Sequence, residues 1–596
     1  MKLLLLLWAG CGFAVLSVQA QNAVQVPLGD PNAGGFVEMS AVFSDLPLVG
    51  YAPVVVQVRN LHDRDLNFRV KALARQDAGY SGDHEYASEW SLAAKKESTS
   101  THSLLIPIGT ENANRGYYGS GSSSLQLDLS GESSLQLSLM SSLTPDRPAV
   151  ALSQGLTGGL VRLLNGVSEI PGKSYPYGKG AFAAQFSAAR LPEDWRACTG
   201  FDFVALRTDE WLKLAPGVRT GLLQWVQLGG ILDIYTSSGE TADTLRLPPA
   251  REDGGVGFGM VRIQPWNGSG LNPAELIQQY SDHPSAMVKN QLELFRAASA
   301  GPWSQLIAAF GGRSFNAWQV GLVLLIFGIL VGPVNLFHFA RTGKRHRLFF
   351  TTPVISLAAS LILLGVIFFQ DGIGGQGIRC ATVYLNSVDS TAFIRQSSLA
   401  RTGVLFSSGF RTPEPSFISP VILPDSQWTR LKDPGRTTAA QRYTMPEDQS
   451  YAGGWFQSRS EQALAIETVR STRGRVELDA AADQPPRLRS SLGYPLESLW
   501  YCDAAGGLWT SSGPLATGQA VTLQKTTPAD YEKWRRAQFA YFDPVASRLL
   551  QASHPPRGHF LASATAATPE MIDTLSSIQW THNALLLWGP VPQIAP

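Results

Sequence analysis

Covalent catalysis would need a serine or cysteine on a sharp strand-to-helix turn, with a histidine placed to take its proton. The stretch Ile231-Leu-Asp-Ile-Tyr-Thr-Ser-Ser-Gly239 sets Ser237 and Ser238 at the end of a predicted strand. No cysteine stands there, and the glycine that should precede an elbow nucleophile is missing. Serine-rich turns are ordinary loop chemistry. Cys198, in Arg196-Ala-Cys-Thr-Gly200, comes ahead of a strand instead of after one. His283 (in Asp282-His283), His554, His559 and His582 are scattered, and a serine nucleophile at Ser237 or Ser238 would have to recruit a distant base such as His283. Packing or surface roles account for these histidines better. No Cys/His spacing fits zinc, no acidic loop fits calcium, and no glycine-rich loop fits ATP. The expectation is no catalytic residue, no metal and no cofactor.

Two other polar residues stand out by where they lie. Asn335 and His338 interrupt an apolar run, and polar residues inside a membrane segment are functional candidates by default. Yet both lie within about two turns of a basic loop, where Pro333 can free a carbonyl and headgroups are near, so contact with these is the simpler expectation. An inter-helix hydrogen bond that locks a hairpin is the sharper alternative. Trp303 and Trp318 flank the entry to the same run, where tryptophan anchors at the membrane interface.

The runs that hold these residues organise the chain. Residues 317–340 and 348–370 contain no Asp, Glu, Lys or Arg. At about 1.5 Å per residue each is long enough to cross a hydrocarbon core of roughly 30 Å. Neither shows the polar stripe of a soluble core helix. Between them lies Arg341-Thr-Gly-Lys-Arg-His-Arg347. Short basic loops stay on the cytoplasmic side, which predicts a two-pass hairpin with its tip inside and both flanks outside. The start of the chain points the same way. Met1-Lys2, an apolar body through Leu16 and Val18-Gln19-Ala20 read as a signal peptide over residues 1–20. Trp8-Ala-Gly-Cys11 is a poor lipoprotein box by comparison.

A net charge of +1 with 16% charged residues leaves no global field to recruit nucleic acid. Beyond the leader only Cys198, Cys380 and Cys502 remain; a Cys380–Cys502 bridge and a pair of buried thiols are both open. Residues 21–148 alternate like strands. Ser123-Ser-Leu-Gln-Leu-Asp-Leu-Ser130 and Ser133-Ser-Leu-Gln-Leu-Ser-Leu139 form a hairpin about Ser130-Gly131-Glu132, within an immunoglobulin-like sandwich. Asn112–Ser122, rich in Gly, Ser and Tyr, reads as a solvated loop. From residue 149 to about 300 the pattern becomes strand, helix, double glycine, strand, as in a parallel α/β unit. Residues 371–596 are β-rich again, with one helix capped by Thr527 and a final strand over Ala584–Trp588.

Several motifs carry a resemblance. Leu191-Pro-Glu-Asp-Trp195, Gly200-Phe-Asp-Phe-Val-Ala-Leu206 and Leu222-Leu-Gln-Trp-Val-Gln-Leu-Gly-Gly-Ile-Leu232 resemble the class I glutamine amidotransferase-like, flavodoxin-like domain of bacterial cell-envelope membrane proteins. Gly332-Pro-Val-Asn335, Ser491-Leu-Gly-Tyr-Pro-Leu496, Gly506-Gly507 and Leu515-Ala-Thr-Gly518 extend it along much of the chain. That group is largely of unknown function, and the elbow its enzymes need is absent here. The resemblance implies a bacterial inner-membrane protein with two periplasmic modules: a non-catalytic binding or scaffold component with a protein partner in the envelope, and the lipid bilayer around its hairpin. The alternatives are an accessory subunit of a transporter, or an envelope hydrolase or transferase acting at Thr236–Gly239.

Overall fold

The computed structural model describes residues 22–29, 34–77, 83–109, 123–143, 148–157, 183–237, 239–252, 254–266, 268, 279–280, 310, 317–339, 343, 345–421, 441–445, 449–479, 485–538 and 554–592. The leader, the loop Asn112–Ser122, Ser238, His283 and Trp303 lie outside them.

Strict alternation builds the first layer pair. Val54, Val56 and Val58 point inward from the strand Gly50–Asn60, in a four-stranded sheet with Ala23–Pro27, Phe36–Ala41 and Ser98–Gly109. The next strand, Leu66–Asp77, buries Val70, Ala72 and Ala74 but belongs to a second sheet. The polar turn at His62–Asp65 therefore carries the chain from one layer to the other. In that second sheet Ser123–Ser130 pairs with Leu135–Met140 in the expected register: Leu125 opposite Leu139, Leu127 opposite Leu137, Leu129 opposite Leu135. A one-residue slip would turn all six buried leucines to water.

The second sheet does not end with the N-terminal segment. Gln441–Thr444 runs parallel to His84–Ala87, and Ser450–Gly453 and Phe410–Arg411 follow it to make seven strands. Tyr443 stacks on Tyr86 with ring centroids 5.0 Å apart, and Trp455 closes on Tyr443 edge-on at 5.0 Å. Residues 371–596, expected as a separate β-rich unit, thus lend three strands to the sandwich. The alternating pattern of the N-terminal segment builds a sheet edge that residues more than 300 positions later cover.

The α/β unit follows the sequence closely. Val150–Ser153, Ala183–Phe186, Phe203–Arg207, Ile231–Thr236 and Gly259–Pro265 are parallel, with Gly255–Val256 added antiparallel at the edge. Counting only the parallel strands in chain order, they lie 2-1-3-4-5 across the sheet, the flavodoxin-like arrangement. The helix Pro216–Leu228 starts with proline at its first turn and ends where Gly229 takes φ 133°, a conformation costly for any residue with a Cβ. A Cβ on Gly230 would lie 2.3 Å from the Trp225 ring, so the double glycine also lets the fully buried Trp225 pack under the turn.

Nine of the remaining described strands form a sheet whose centre is Gly375–Asn386 running parallel to Ile578–Pro590, and Val476–Leu478, Arg487–Ser490 and Ala520–Thr522 form a small three-stranded one. The expected strand at Ala584–Trp588 is the buried middle of the latter. The expected helix spans Pro528–Gln538, with the Thr527 hydroxyl accepting the Asp530 N–H at 3.3 Å. Arg395 ties this sheet to the α/β unit. It lies against Glu467 at 2.6 Å and donates to the Leu228 carbonyl at 2.7 Å, a cation on the last turn of the helix Pro216–Leu228. Phe258 meets Trp588 edge-on at 5.6 Å, and buried residues from both chain flanks form one continuous apolar core.

Two long apolar helices among the described residues lie outside these sheets. Ala317–Ile329 is α-helical and passes into a π-helical turn, Leu330–Phe339, around Pro333; Leu348–Asp371 returns. Proline supplies no N–H to the ladder, and the wider turn accommodates the loss. The returning helix ends at Gly372 (φ 74°), and the sheet begins at Gly375. No linker separates them.

Candidate functional site

In a sheet of this order the natural ligand crevice opens between strands 1 and 3, at the ends of Val150–Ser153 and Phe203–Arg207. Here the chain fills it itself. The Glu210 carboxylate accepts from the Ser153 hydroxyl at 2.5 Å, the Arg207 N–H at 3.0 Å and the Gly155 N–H at 3.2 Å. Arg207 is held by Asp209, with its Nε donating at 2.6 Å, and lies 4.8 Å above the Trp266 ring. That hydrogen bond from Arg207 holds the Asp209 carboxyl below its ordinary range. Of the residues considered for catalysis, Ser237 is exposed in irregular chain, and the described residues directly after it, 239–252, form no helix. Cys198 is buried, and burial, with Asp194 adding to it, pushes its thiol up to about 12. A thiol so placed stays protonated and is a poor nucleophile.

The sequence reading missed a charge inside this sheet. Asp233 is fully buried at the middle of its strand, and Arg262, directly opposite on Gly259–Pro265, grips it with Nε and Nη2 both at 2.6 Å. Tyr280 donates to the same carboxylate at 3.0 Å, and its oxygen lies 3.4 Å from that of Tyr235. Burial and the neighbouring carboxylate push the Tyr235 phenol up to about 12 and Tyr280 well above its ordinary value. The signal was the aspartate itself, alone in Ile231-Leu-Asp-Ile-Tyr235; its partner 29 positions on carries no such mark.

A cavity of about 520 Å³ opens where the sandwich, the α/β unit and the C-terminal flank meet. Tyr51, Trp90, Leu105, Met445 and Tyr451 give it apolar walls, and Arg196 gives it a cation. Asp194 takes Arg196 Nη2 at 2.7 Å, Gln449 takes Nη1 at 3.1 Å, and the guanidinium carbon lies 5.2 Å from the Tyr51 ring centroid. Burial works to lower the Arg196 pKa, but Tyr51 and Asp194 outweigh it, so the side chain stays cationic. Burial likewise raises Tyr51 and Tyr451. The hydroxyls of both tyrosines point to the Ser416 carbonyl, at 3.4 and 3.3 Å. The cavity is thus built by three parts of the chain that no local pattern connects.

The other cysteines and histidines make no comparable site. Among the described residues Cys198, Cys380 and Cys502 are free thiols, and burial pushes Cys380 up to about 12. Cys502 Sγ lies 3.9 Å from His554 Nδ1, but that nitrogen is 2.8 Å from the Pro555 carbonyl and so carries the proton. It cannot also take one from the thiol, whose pKa burial raises. His559 begins a strand of the nine-stranded sheet and His582 is exposed. No group of three His, Cys, Asp or Glu side chains among the described residues could hold a metal.

In the hairpin, Asn335 is fully buried while most neighbours are exposed. Its amide donates to Thr352 Oγ1 at 2.9 Å and its carbonyl accepts from Thr351 Oγ1 at 2.6 Å, so one side chain clamps the two helices. His338 faces outward.

No protein-family model matches the chain, and no curated protein matches it. Solved structures overlap it only locally. A transglutaminase of red sea bream aligns at 11% identity with TM-score 0.12 over 17% of this chain and 16% of its own. The curli protein CsgC of E. coli aligns at 16% identity with TM-score 0.11, over 17% of this chain and 97% of its own. A yeast delta-COP-I mu-homology domain, in complex with a Dsl1 WxWxV peptide, aligns at 7% identity with TM-score 0.17, over 37% and 97%.

Proposed function

We propose that this protein is a two-pass membrane component of the bacterial envelope that presents one composite extracytoplasmic body as a binding or scaffold element. The observation that carries the reading is the contrast between the hairpin and the body. The stretches Gly321–His338 and Arg345–Val366 have a mean hydropathy of 2.0 and bury almost none of their side chains, whereas both flanks share one buried core. Two apolar helices outside the core need a nonaqueous surround. Two flanks that share strands have to lie on one side of it, and with the basic loop Arg341–Arg347 at the tip that side is the outside. The parallel 2-1-3-4-5 sheet fits the amidotransferase-like resemblance, while the crevice filled by Glu210 favours a scaffold over a catalyst. The cavity beside Arg196 is the natural place for a partner's side chain. Asn335, spent on a bond between the hairpin's own helices, argues less for a transport pathway. Extraction of membranes with alkaline carbonate tests the reading. The intact chain should stay with the pellet, and a chain lacking residues 317–371 should leave it; release of the intact chain refutes the anchor.

A further inference from the structure

We infer that the loop 403–409 is a second membrane contact, which seats the body on the lipid surface beside the hairpin; this rests on the membrane-anchor reading. The returning helix stops at Asp371, and two residues on Ile373 is 64% exposed. Ile373 bridges to Val404. Two positions further, about 7 Å of extended chain, Phe406 is 81% exposed, more than any described large apolar side chain except Phe349 of the hairpin itself. An isolated aromatic so exposed at the foot of a helix that leaves the membrane has one apolar phase within reach, the bilayer interface where aromatic rings settle.

The loop presents this ring on a fixed frame. Val404 N–H donates to the Gly372 carbonyl at 2.9 Å, Gly374 N–H to the Val404 carbonyl at 3.0 Å, and Gly403 N–H to the Gly374 carbonyl at 2.7 Å. Leu405 N–H donates to Ser458 Oγ at 3.0 Å, and Phe410 is buried against Tyr451 with centroids 4.9 Å apart. The start of the loop is therefore tied to the end of the nine-stranded sheet where the helix enters and its far end to the seven-stranded sheet, and Phe406 is held outward between them. Chain ahead of the first hairpin helix meets the same end of the nine-stranded sheet: Arg401 donates to the Phe310 carbonyl at 3.4 Å and lies 4.8 Å above its ring. The opposite end of the same strand pair supplies an internal comparison. Val388, in the turn after Asn386, is 76% exposed, and the 12-residue strand Gly375–Asn386 sets it roughly 36 Å away at about 3.3 Å per residue.

Spin labels on the full chain in phosphatidylcholine vesicles test this. Single cysteines replace Phe406, Val388 and, within the hairpin, the exposed Leu357, with the unsubstituted protein as background. Collision with dissolved oxygen, enriched in lipid, is compared with collision with a water-soluble nickel chelate. The expected result is oxygen-dominated collision at 406 and 357 and the inverse at 388. Nickel-dominated collision at 406 with oxygen dominance at 357 overturns the second contact and leaves the anchor standing. Nickel dominance at 357 overturns both, and oxygen dominance at 388 overturns the seating of the body. Phe406→Trp, which keeps an interfacial aromatic, should give indole quenching by lipids brominated near the headgroup beyond that of the unsubstituted protein; no added quenching counts against the contact.

Discussion

Replacing Asn335 by leucine removes a polar clamp between the two hairpin helices while keeping the volume close. Two hydrogen bonds disappear, at 2.9 Å to Thr352 and 2.6 Å from Thr351. Within a bilayer such bonds average about 0.6 kcal/mol and reach about 1.7 kcal/mol, so the loss should fall between about 1 and 3 kcal/mol. The lower half of that range is expected, because the Thr351 hydroxyl keeps the Arg347 carbonyl at 3.0 Å as a fallback. The pairwise part is isolated by a cycle of Asn335→Leu, Thr352→Val and the double variant. Separation of the helices is followed in the full chain by energy transfer between fluorophores at Leu322 and Leu364 as SDS displaces a mild detergent. A coupling near 0.6 kcal/mol is expected. Zero coupling, or a hairpin made more stable by Asn335→Leu, would refute the clamp.

Three further outcomes follow from the packing and the buried acids. Trp225→Ala should cost about 3 to 5 kcal/mol and lower protein abundance, whereas Ser237→Ala should leave both abundance and cellular phenotype unchanged; loss of phenotype at normal abundance would restore a catalytic reading. Arg395→Ala strips a buried carboxylate, Glu467, of its cation and should cost about 3 to 5 kcal/mol, read as a lower melting temperature of both chain flanks together. Burial raises Cys198 and Cys380 from 9.0 to about 12, so the unfolded chain gives up these protons first. That stability is fully present below the ordinary thiol value and is lost as pH rises toward the folded one, so the urea midpoint should drop between pH 8 and about pH 11; an unchanged midpoint would deny the burial.

Much of this architecture could be read from local pattern. The leucines at 125, 127 and 129 and at 135, 137 and 139 define their own hairpin register, since period 2 allows one buried face. The helix before Gly229-Gly230 and the two apolar runs were equally plain, as propensity, capping and length agree there. What escaped is what depends on residues far apart. Gln441-Arg-Tyr-Thr444 is too short to show alternation, and its place beside His84–Ala87 depends on a sheet edge built elsewhere. Asn335 was visible as a misfit in apolar sequence, but Thr351 and Thr352 look like ordinary helix residues until the hairpin closes. The cavity at Arg196 is less legible still, because its wall comes from Tyr51, Met445 and Tyr451 at once.

The central claim is that both flanks form one body on one side of a membrane which the hairpin crosses. Single cysteines at Met140, 73% exposed on the N-terminal flank, at Val388 on the C-terminal flank, and at Thr342 in the tip test it directly with an impermeant maleimide on intact cells stripped of outer membrane. The account predicts labelling at 140 and 388 from outside, and labelling at 342 only after the inner membrane is opened. Labelling of 140 and 388 from opposite sides, or of all three from the same side, would contradict it.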